Sequence, residues 1–471
     1  MSTCGLATVI LTSSVLLLGG MTARAQTPPS PSPAIAAKPA DAAVPAAVAS
    51  LRFAAALSHT LYDRHNPTRL SLRIDLAGTS AAATGRPPLN LAIVIDRSGS
   101  MAEDKKFEYA LRAAALVFES LTERDIISLV AFDERATVLS PAGPAVNRAF
   151  LDHRLADISP VGWTNLSAGL MEGFAQIDSR AVEGQTKRVL VLTDGMANRG
   201  VTAPDGLERL VGAAKARGIS VSTMGVGTKF DETLLKALAA AGGGRYAYAA
   251  TGEDIPKAMA VEVDGLLRMV AQNASIRVRV AGGKIALVHG RLIETPVTEF
   301  TLEIGDVREA ERAVFVMEIE PDAFTSGAEV SVQAQLTLDD VERAERAIVA
   351  AAAKAAHSGD AAAIRAGESP SVILYCGILD ALEKAEDAVL GLDEPRFREA
   401  SMLFDIQHDQ ARAYALEARD QDLLSHAFLL KHMMADLASA RAAGLLHGHD
   451  AARKALPKTI DYQRYLREHH R

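Results

Sequence analysis

The sequence predicts an α/β protein centred on a doubly wound, mostly parallel sheet, with an accessory β-sandwich and a C-terminal helical region. Three observations predict it. Between residues 88 and 270, continuous apolar runs such as Leu91-Ala92-Ile93-Val94-Ile95 alternate with amphipathic segments of helical period. Strands apolar on both sides require helices on both faces of a parallel sheet. Before this region apolar residues recur at every second position, as in Leu70, Leu72, Ile74 and Leu76, which marks a strand buried on one face. From residue 341 the chain turns Ala-rich, with a helical pattern.

A chain of 471 residues has room for roughly two to four domains. Its 49% hydrophobic and 23% charged residues exclude wholesale disorder. The net charge of −8 argues against a generic nucleic-acid binder, which needs a basic excess to displace counterions. No nucleic-acid partner is expected.

Residues 6–20 are apolar, interrupted by Thr8, Thr12, Ser13 and Ser14, and too short for a comfortable membrane span. Ala23-Arg24-Ala25 follows, a small-x-small pattern of the kind signal peptidase reads. Residues 1–25 are therefore expected to be a signal peptide, placing the mature chain in the periplasm or outside the cell. No Lys or Arg precedes the apolar stretch, so the other readings are that the true start differs or that the segment stays as an anchor. Cleavage would remove Cys4 and leave Cys376 without an intrachain disulfide partner. No later segment reaches the ~18 apolar residues of a spanning helix.

Residues 26–50, rich in Pro and Ala, read as an extended linker. Residues 51–62 and 69–77 read as strands, and the segment 51–87 is expected to join the sandwich. In the region 88–270 the order is strand 91–95, helix 105–121, strands 126–132 and 136–139, and helices near 150–158 and 165–177. Strand 188–193, helix 205–217, strand 220–226, helix 231–241, strand 245–249 and helix 254–269 follow. The sandwich, 271–340, draws on strands 275–280, 284–289, 299–304, 313–319 and 328–338. The helical region, 341–471, is expected to hold helices 341–357, 371–390, 395–419 and 421–444, with Gly391 and Gly444 as C-caps.

Ligands of such sheets bind at the carboxyl ends of the strands, near a topological switch point. There the sequence places Asp96-Arg97-Ser98-Gly99-Ser100 after the first buried strand, Gly162-Trp163-Thr164-Asn165 before a helix, and Thr193-Asp194-Gly195 after a later strand. Asp96, Ser98, Ser100, Thr164 and Asp194 make an all-oxygen set suited to a hard cation, Mg²⁺ or else Mn²⁺ or Ca²⁺. Neutral hydroxyls complete a shell without cancelling the ion's charge, so an acidic residue on a protein partner can supply the last ligand. The alternative is that Asp96, Ser98 and Thr164 only cap backbone N–H groups.

The pattern Asp96-x-Ser98-x-Ser100, then Thr164, then Asp194, is similar to the metal-ion-dependent adhesion site of von Willebrand factor type A domains. The resemblance covers about residues 88–269 and includes residues 124–133, Gly225-Val226-Gly227 with Phe230-Asp231, and Gly242-Gly243-Gly244-Arg245-Tyr246. It implies that Ser98 and Ser100 ligate directly and that Thr164, Asp96 and Asp194 bind directly or through water. The flanking segments look like those of bacterial secreted von Willebrand A proteins. The function implied is divalent-metal-dependent protein binding at the cell envelope. The rival readings are a metal-dependent hydrolase, an assembly factor in which the metal is only structural, and a cytoplasmic partner of AAA+ ATPases.

Other residues carry two readings each. Trp163, the only tryptophan, is a partner-contact anchor or a ring packed on its loop. Arg97 steers an acidic partner or is a solvated charge. Asp133 supports the site from behind or belongs to a turn. Gly225-x-Gly227 lacks the third glycine of the dinucleotide fingerprint and reads as a tight turn. Seven of twelve histidines follow residue 400, including His447, His449, His469 and His470, without a second ligand group of matching spacing. Cys376 reads as core. There is no H-E-x-x-H, G-x-S-x-G or Walker loop, and Ser98 and Ser100 have no nearby histidine base. No enzymatic activity is expected.

Overall fold

The computed structural model describes residues 46–48, 51–63, 65, 69–79, 86–145, 158–289, 293–322, 329–343, 345–390 and 393–442. The leader, the linker up to residue 45, most of the helix expected near 150–158, Gly391, Gly444 and His447, His449, His469 and His470 lie outside these residues. Among the described residues, no helix is long and apolar enough to cross a membrane.

The described chain begins with β1 (Ala46–Val48), β2 (Leu51–Leu57), β3 (Leu61–Tyr62) and β4 (Leu70–Gly78). The parallel-sheet region follows: β5 (Leu89–Asp96), α1 (Lys106–Ser120), β6 (Ile126–Phe132), β7 (Ala136–Pro144), α2 (Leu166–Ser179), β8 (Thr186–Thr193), α3 (Pro204–Lys215), β9 (Ile219–Val226), α4 (Glu232–Ala241), β10 (Gly243–Ala249) and α5 (Ile255–Leu267). The sheet order is β10-β9-β8-β5-β6-β7. All neighbours are parallel except the β6–β7 hairpin.

Strand β5 shows why its run is apolar without interruption. Leu91, Ile93 and Ile95 pack with Phe107 and Leu111 of α1 and Met259 and Val263 of α5. Ala92 and Val94 face the opposite layer, with Leu170 and Phe174 of α2, Val211 of α3 and Leu238 of α4. Helix α2 lies close on the sheet because it turns glycines towards it. A Cβ at Gly169 would stand 2.6 Å from Phe132 Cδ1, and one at Gly173 2.8 Å from Val94 Cγ2. From β5 the chain builds β6 on one side, then crosses to build β8 on the other. The switch point therefore falls between the carboxyl ends of β5 and β8.

The sandwich comprises β11 (Met269–Ala281), β12 (Gly283–Val288), β13 (Glu299–Arg308), β14 (Arg312–Pro321), β15 (Glu329–Asp340) and β16 (Glu345–His357). Its sheets run β1-β2-β4-β14-β12 and β13-β11-β15-β16-β3, so the strands ahead of the parallel sheet do complete it. Phe53, Leu72 and Ile74 from one sheet meet Ile276, Val278 and Leu336 from the other.

One expected element is corrected. Residues 341–357 read as a helix, but 345–357 form β16, which pairs antiparallel with β15 from Glu345↔Asp340 to Ala356↔Glu329. Alanine favours helix only weakly, and a waiting strand edge overrides the preference. Val349, Ala351 and Ala355 are buried in the sandwich core, at the spacing of a strand face. The sandwich therefore extends to residue 357.

Helices α6 (Ala361–Ala366), α7 (Pro370–Leu390), α8 (Glu394–Ala418) and α9 (Gln421–Ala442) complete the described chain. Val314 and Val316, on the outer face of β14, join their core with Tyr375, Ile378 and Phe404. Cys376 lies buried in this layer, and burial pushes its thiol up to about 12.

His289 links the helices to the sandwich. Its Nδ1 lies 2.7 Å from Glu383 Oε2 on α7 and its Nε2 3.7 Å from Glu318 Oε1 on β14. Burial acts to lower its pKa, but the hydrogen bonds and charges of Glu318 and Glu383 raise it to about 9. A histidine raised on folding contributes stability that is fully present below its unfolded value, about 6.5, and is lost as pH rises through about 9. Between pH 6.5 and 9.5 the wild type should lose on the order of 2 kcal/mol relative to His289→Gln. Urea denaturation across this range measures the difference.

A buried ionic network joins the parallel sheet to the sandwich. Arg188 of β8, fully buried (0% exposed), donates to Asp306 of β13 and, at 3.3 Å, to Ser222 Oγ. Arg308 Nη2 donates to Glu262 Oε2 at 2.7 Å, Ser222 Oγ to Glu262 Oε1 at 2.8 Å, and Arg245 pairs with Glu311 at 3.2 Å. Burial would raise Glu262, but Arg308, Arg245 and Arg188 hold it below the usual carboxylate range. Three guanidiniums face three carboxylates, so the cluster is electrically balanced.

Candidate metal centre

The β5 strand delivers Asp96 to the sheet edge, where the chain turns sharply. Asp96 Oδ1 accepts from Ser98 N at 2.7 Å, and Oδ2 accepts from Thr193 Oγ1 at 2.5 Å, across from β5 on β8. Both oxygens are thus oriented before any ligand arrives. Ser98 Oγ lies 3.2 Å from Ser100 Oγ, and Ser100 Oγ donates to Asp194 Oδ1 at 2.6 Å. Asp96, Ser98, Thr164 and Asp194 are buried, while Ser100 and Gly195 are half-buried and Gly99 is exposed. The cluster therefore borders solvent.

Thr164 reaches the cluster from the loop before α2. The helix is capped by the next residue: Asn165 Oδ1 accepts from Ala168 N at 3.1 Å. Thr164 N donates to Asn198 Oδ1 at 2.9 Å, and its carbonyl accepts from Asn198 N at 3.0 Å and Arg199 N at 3.2 Å. The segment after β8 thereby clamps the Thr164 loop. Gly162 allows that loop its turn, at φ +78°, a left-handed conformation that glycine adopts without steric cost.

Gly195 tests whether the oxygens enclose one site. A Cβ there would stand 3.2 Å from Thr164 Oγ1 and 3.8 Å from both Asp96 Oδ2 and Ser100 Oγ. One methyl-sized space on the loop after β8 is thus shared by donors from two other segments, the loop after β5 and the loop before α2, and hydrogen bonds tie Ser98 and Asp194 to the same group. The donor set, two carboxylates and three hydroxyls, is that of a hard cation. Burial pushes the Asp96 carboxyl up to about 6, against the hydrogen bonds from Thr193 and Ser98. Adjacent positive charge favours its ionised form.

Other sequence candidates take definite places. Arg97 is neither a solvated charge nor free to steer a partner: its Nε and Nη2 donate to Asp133 Oδ2 at 2.8 and 2.5 Å. Asp133 Oδ1 also accepts from Arg135 N at 3.0 Å, so it closes a turn and holds Arg97 at once. Trp163 is 50% exposed, with the Arg199 guanidinium 4.2 Å from its ring centroid. Val161, two residues before it, and Met196, on the loop after β8, are also exposed. Packing and backbone account for Gly225 and Gly227: a Cβ at Gly225 would stand 2.4 Å from the Phe230 ring, and Gly227 has φ +72°.

Three residues at the site were not singled out from sequence. Thr193 and Asn198 orient Asp96 and Thr164. Lys106 is the third: its Nζ donates to Asp194 Oδ2 at 2.8 Å, and the residue is only 6% exposed. Its position was a usable signal, because Lys106 falls on the buried stripe of α1 with Ala110, Ala113 and Val117.

A family model of the von Willebrand factor type A domain matches residues 90–260. The uncharacterized protein YfbK of Escherichia coli (strain K12) is 27% identical over 214 residues, 45% of this chain and 37% of that protein. The chain thus spans well under half of that relative's length. The uncharacterized protein sll0103 of Synechocystis sp. is 26% identical over 296 residues, 60% of this chain and 70% of that one. Among solved structures, a von Willebrand factor type A protein from Catenulispora acidiphila superposes with a TM-score of 0.57 at 16% identity, covering 81% of this chain and 89% of its own. That likeness is one of fold, and it reaches beyond the parallel sheet. Residues 90–260 of this chain are a von Willebrand factor type A domain.

Proposed function

We propose that this domain is a protein-binding module in which Asp96, Ser98, Ser100, Thr164 and Asp194 hold a divalent cation, Mg²⁺ or else Mn²⁺ or Ca²⁺, whose shell is completed by an acidic residue of a protein partner. The observation that carries the reading is the shared space at Gly195, on the loop after β8, where oxygens from the loop after β5 and the loop before α2 meet beside solvent. When bound, the cation supplies an electrophilic point that a carboxylate can coordinate. The protein supplies the rest. Thr193 and Ser98 N fix the Asp96 carboxylate, Asn198 fixes Thr164, and Trp163, Val161 and Met196 offer apolar contact around the site. We place the protein in the periplasm or outside the cell, a reading supported by the apolar stretch and Ala23-Arg24-Ala25. We read its role there as adhesion or scaffolding rather than catalysis, a reading supported by the lack of a histidine near Ser98 and Ser100 in the sequence.

The test combines metal titration with capture. Calorimetry with Mn²⁺ should find one site in the wild type, weakened at least tenfold in Ser98→Ala plus Ser100→Ala, as expected when direct ligands are lost. Immobilised wild type should capture an acidic partner from envelope extract and release it with EDTA. Equal Mn²⁺ binding by both proteins, or capture that EDTA leaves intact, would overturn the reading.

A further inference from the structure

Asp194 already has a cation. One of its oxygens accepts from Ser100 Oγ at 2.6 Å and the other from Lys106 Nζ at 2.8 Å. Lys106 is the first residue of α1, and the approach to it is unusual. Asp104 and Lys105 both have left-handed backbones, φ 51° and 53°, a conformation that residues other than glycine seldom adopt. This kink sends the Lys106 side chain back towards the sheet edge, where its terminal atoms pass within 3.6 Å of the space above Gly227. Among the described residues, the other carboxylate paired with it is Glu103, which is 3.8 Å away, exposed, and also bound to Lys229 at 3.1 Å. The ammonium is thus committed to Asp194.

The charges then decide what the centre can accept. Asp96 and Asp194 alone would balance a divalent ion. With Lys106 among them, the loaded centre carries one surplus positive charge in a largely desolvated place, where uncompensated charge is costly. One carboxylate from outside removes the surplus.

We propose that Lys106 is a built-in counter-cation of the centre. It weakens the site's hold on a divalent ion alone and couples ion loading to the arrival of a single partner carboxylate. The inference rests on the metal-centre reading above and adds a specificity-determining residue to it. A neutral or doubly anionic group would leave the centre unbalanced, so the partner chemistry selected is one acidic side chain.

The experiment uses the full chain with Lys106→Met, Lys106→Gln and Lys106→Arg, Mn²⁺ as the ion and acetate as the carboxylate probe. Calorimetry should show weak Mn²⁺ binding by wild type that acetate tightens. Lys106→Met and Lys106→Gln should bind Mn²⁺ at least about tenfold more tightly, as removal of a nearby like charge requires, with little further gain from acetate. Lys106→Arg should resemble wild type. In thermal unfolding without metal, Lys106→Met should be less stable than wild type, because Asp194 is left buried and unpaired; Mn²⁺ should erase the deficit. Should Lys106→Met not fold, Lys106→Gln, which keeps a donor without the charge, carries the comparison. Mn²⁺ affinity unchanged or reduced in the neutral variants, or a stability deficit equal with and without Mn²⁺, would overturn the proposal and leave Lys106 a structural ion pair. Those results, with Mn²⁺ binding still dependent on Ser98 and Ser100, would leave the metal centre standing. Binding that ignores Ser98 and Ser100, or no binding by any protein, would remove both.

Discussion

Asp306→Ala should cost about 3–5 kcal/mol, the usual penalty for removing one partner of a buried ion pair. Arg188 is fully buried in β8, and Asp306, also buried, is its carboxylate. Among the described residues, alanine would leave the guanidinium with Ser222 Oγ as its remaining acceptor, at 3.3 Å. Surrounding charges offer no exchange, since Glu262 is taken by Arg308 and Ser222, and Glu311 by Arg245. The loss should appear in urea denaturation as a lower midpoint of the transition that reports the parallel sheet. Arg188→Met combined with Asp306→Leu should recover most of it, because the charge that would be stranded is gone and the volume is refilled. A single-variant loss below 1 kcal/mol would show that the network relaxes or admits water.

This network has a consequence for the binding face. Arg188 and Arg245 sit near the amino ends of β8 and β10 and hold Asp306 and Glu311 of the sandwich. The donor cluster lies at the carboxyl ends of β5 and β8, the opposite edge of the sheet. The domain is anchored by one edge and presents the other.

How much of this was legible in the sequence depended on the range of the forces involved. The parallel strands could be read because burial on both faces leaves no polar position, as in residues 91–95. The meeting of the oxygens could be read because Asp96, Thr164 and Asp194 each stand where a strand ends or a helix begins, and parallel topology brings such ends together. Strand β16 could not be read. Its alanines carry a local helical preference, and the edge of β15 that captures it is visible only once the sandwich has formed. The partner of Arg97 was hidden for the same reason: Asp133 arrives from the next strand end. Lys106 belonged to no motif, and only its place on the apolar stripe of α1 set it apart. Pairings between side chains from distant segments, such as Arg188 with Asp306, left no trace in spacing or composition.

Gly195→Ala should separate folding from cation binding. Gly195 is not among the left-handed glycines, so alanine meets no backbone penalty there. Its methyl would instead stand 3.2 Å from Thr164 Oγ1 and 3.8 Å from Asp96 Oδ2 and Ser100 Oγ, inside the space that the donors share. A hard cation needs oxygens at about 2.0–2.6 Å, and a methyl among them prevents that closure. Mn²⁺ affinity should fall by about 100-fold, the upper end of what disturbance around a metal site produces, while stability without metal stays within about 1 kcal/mol of wild type. Gly162→Ala is the converse control: its Cβ would meet nothing nearer than 3.7 Å, but its φ of +78° strains any L side chain, so it should lower stability by about 1 kcal/mol. Calorimetry and thermal unfolding of the two variants distinguish a filled site from a strained loop. If Gly195→Ala bound Mn²⁺ as wild type does, the space beside Thr164 would not be where the ion sits, and the five oxygens would owe their meeting to hydrogen bonding alone.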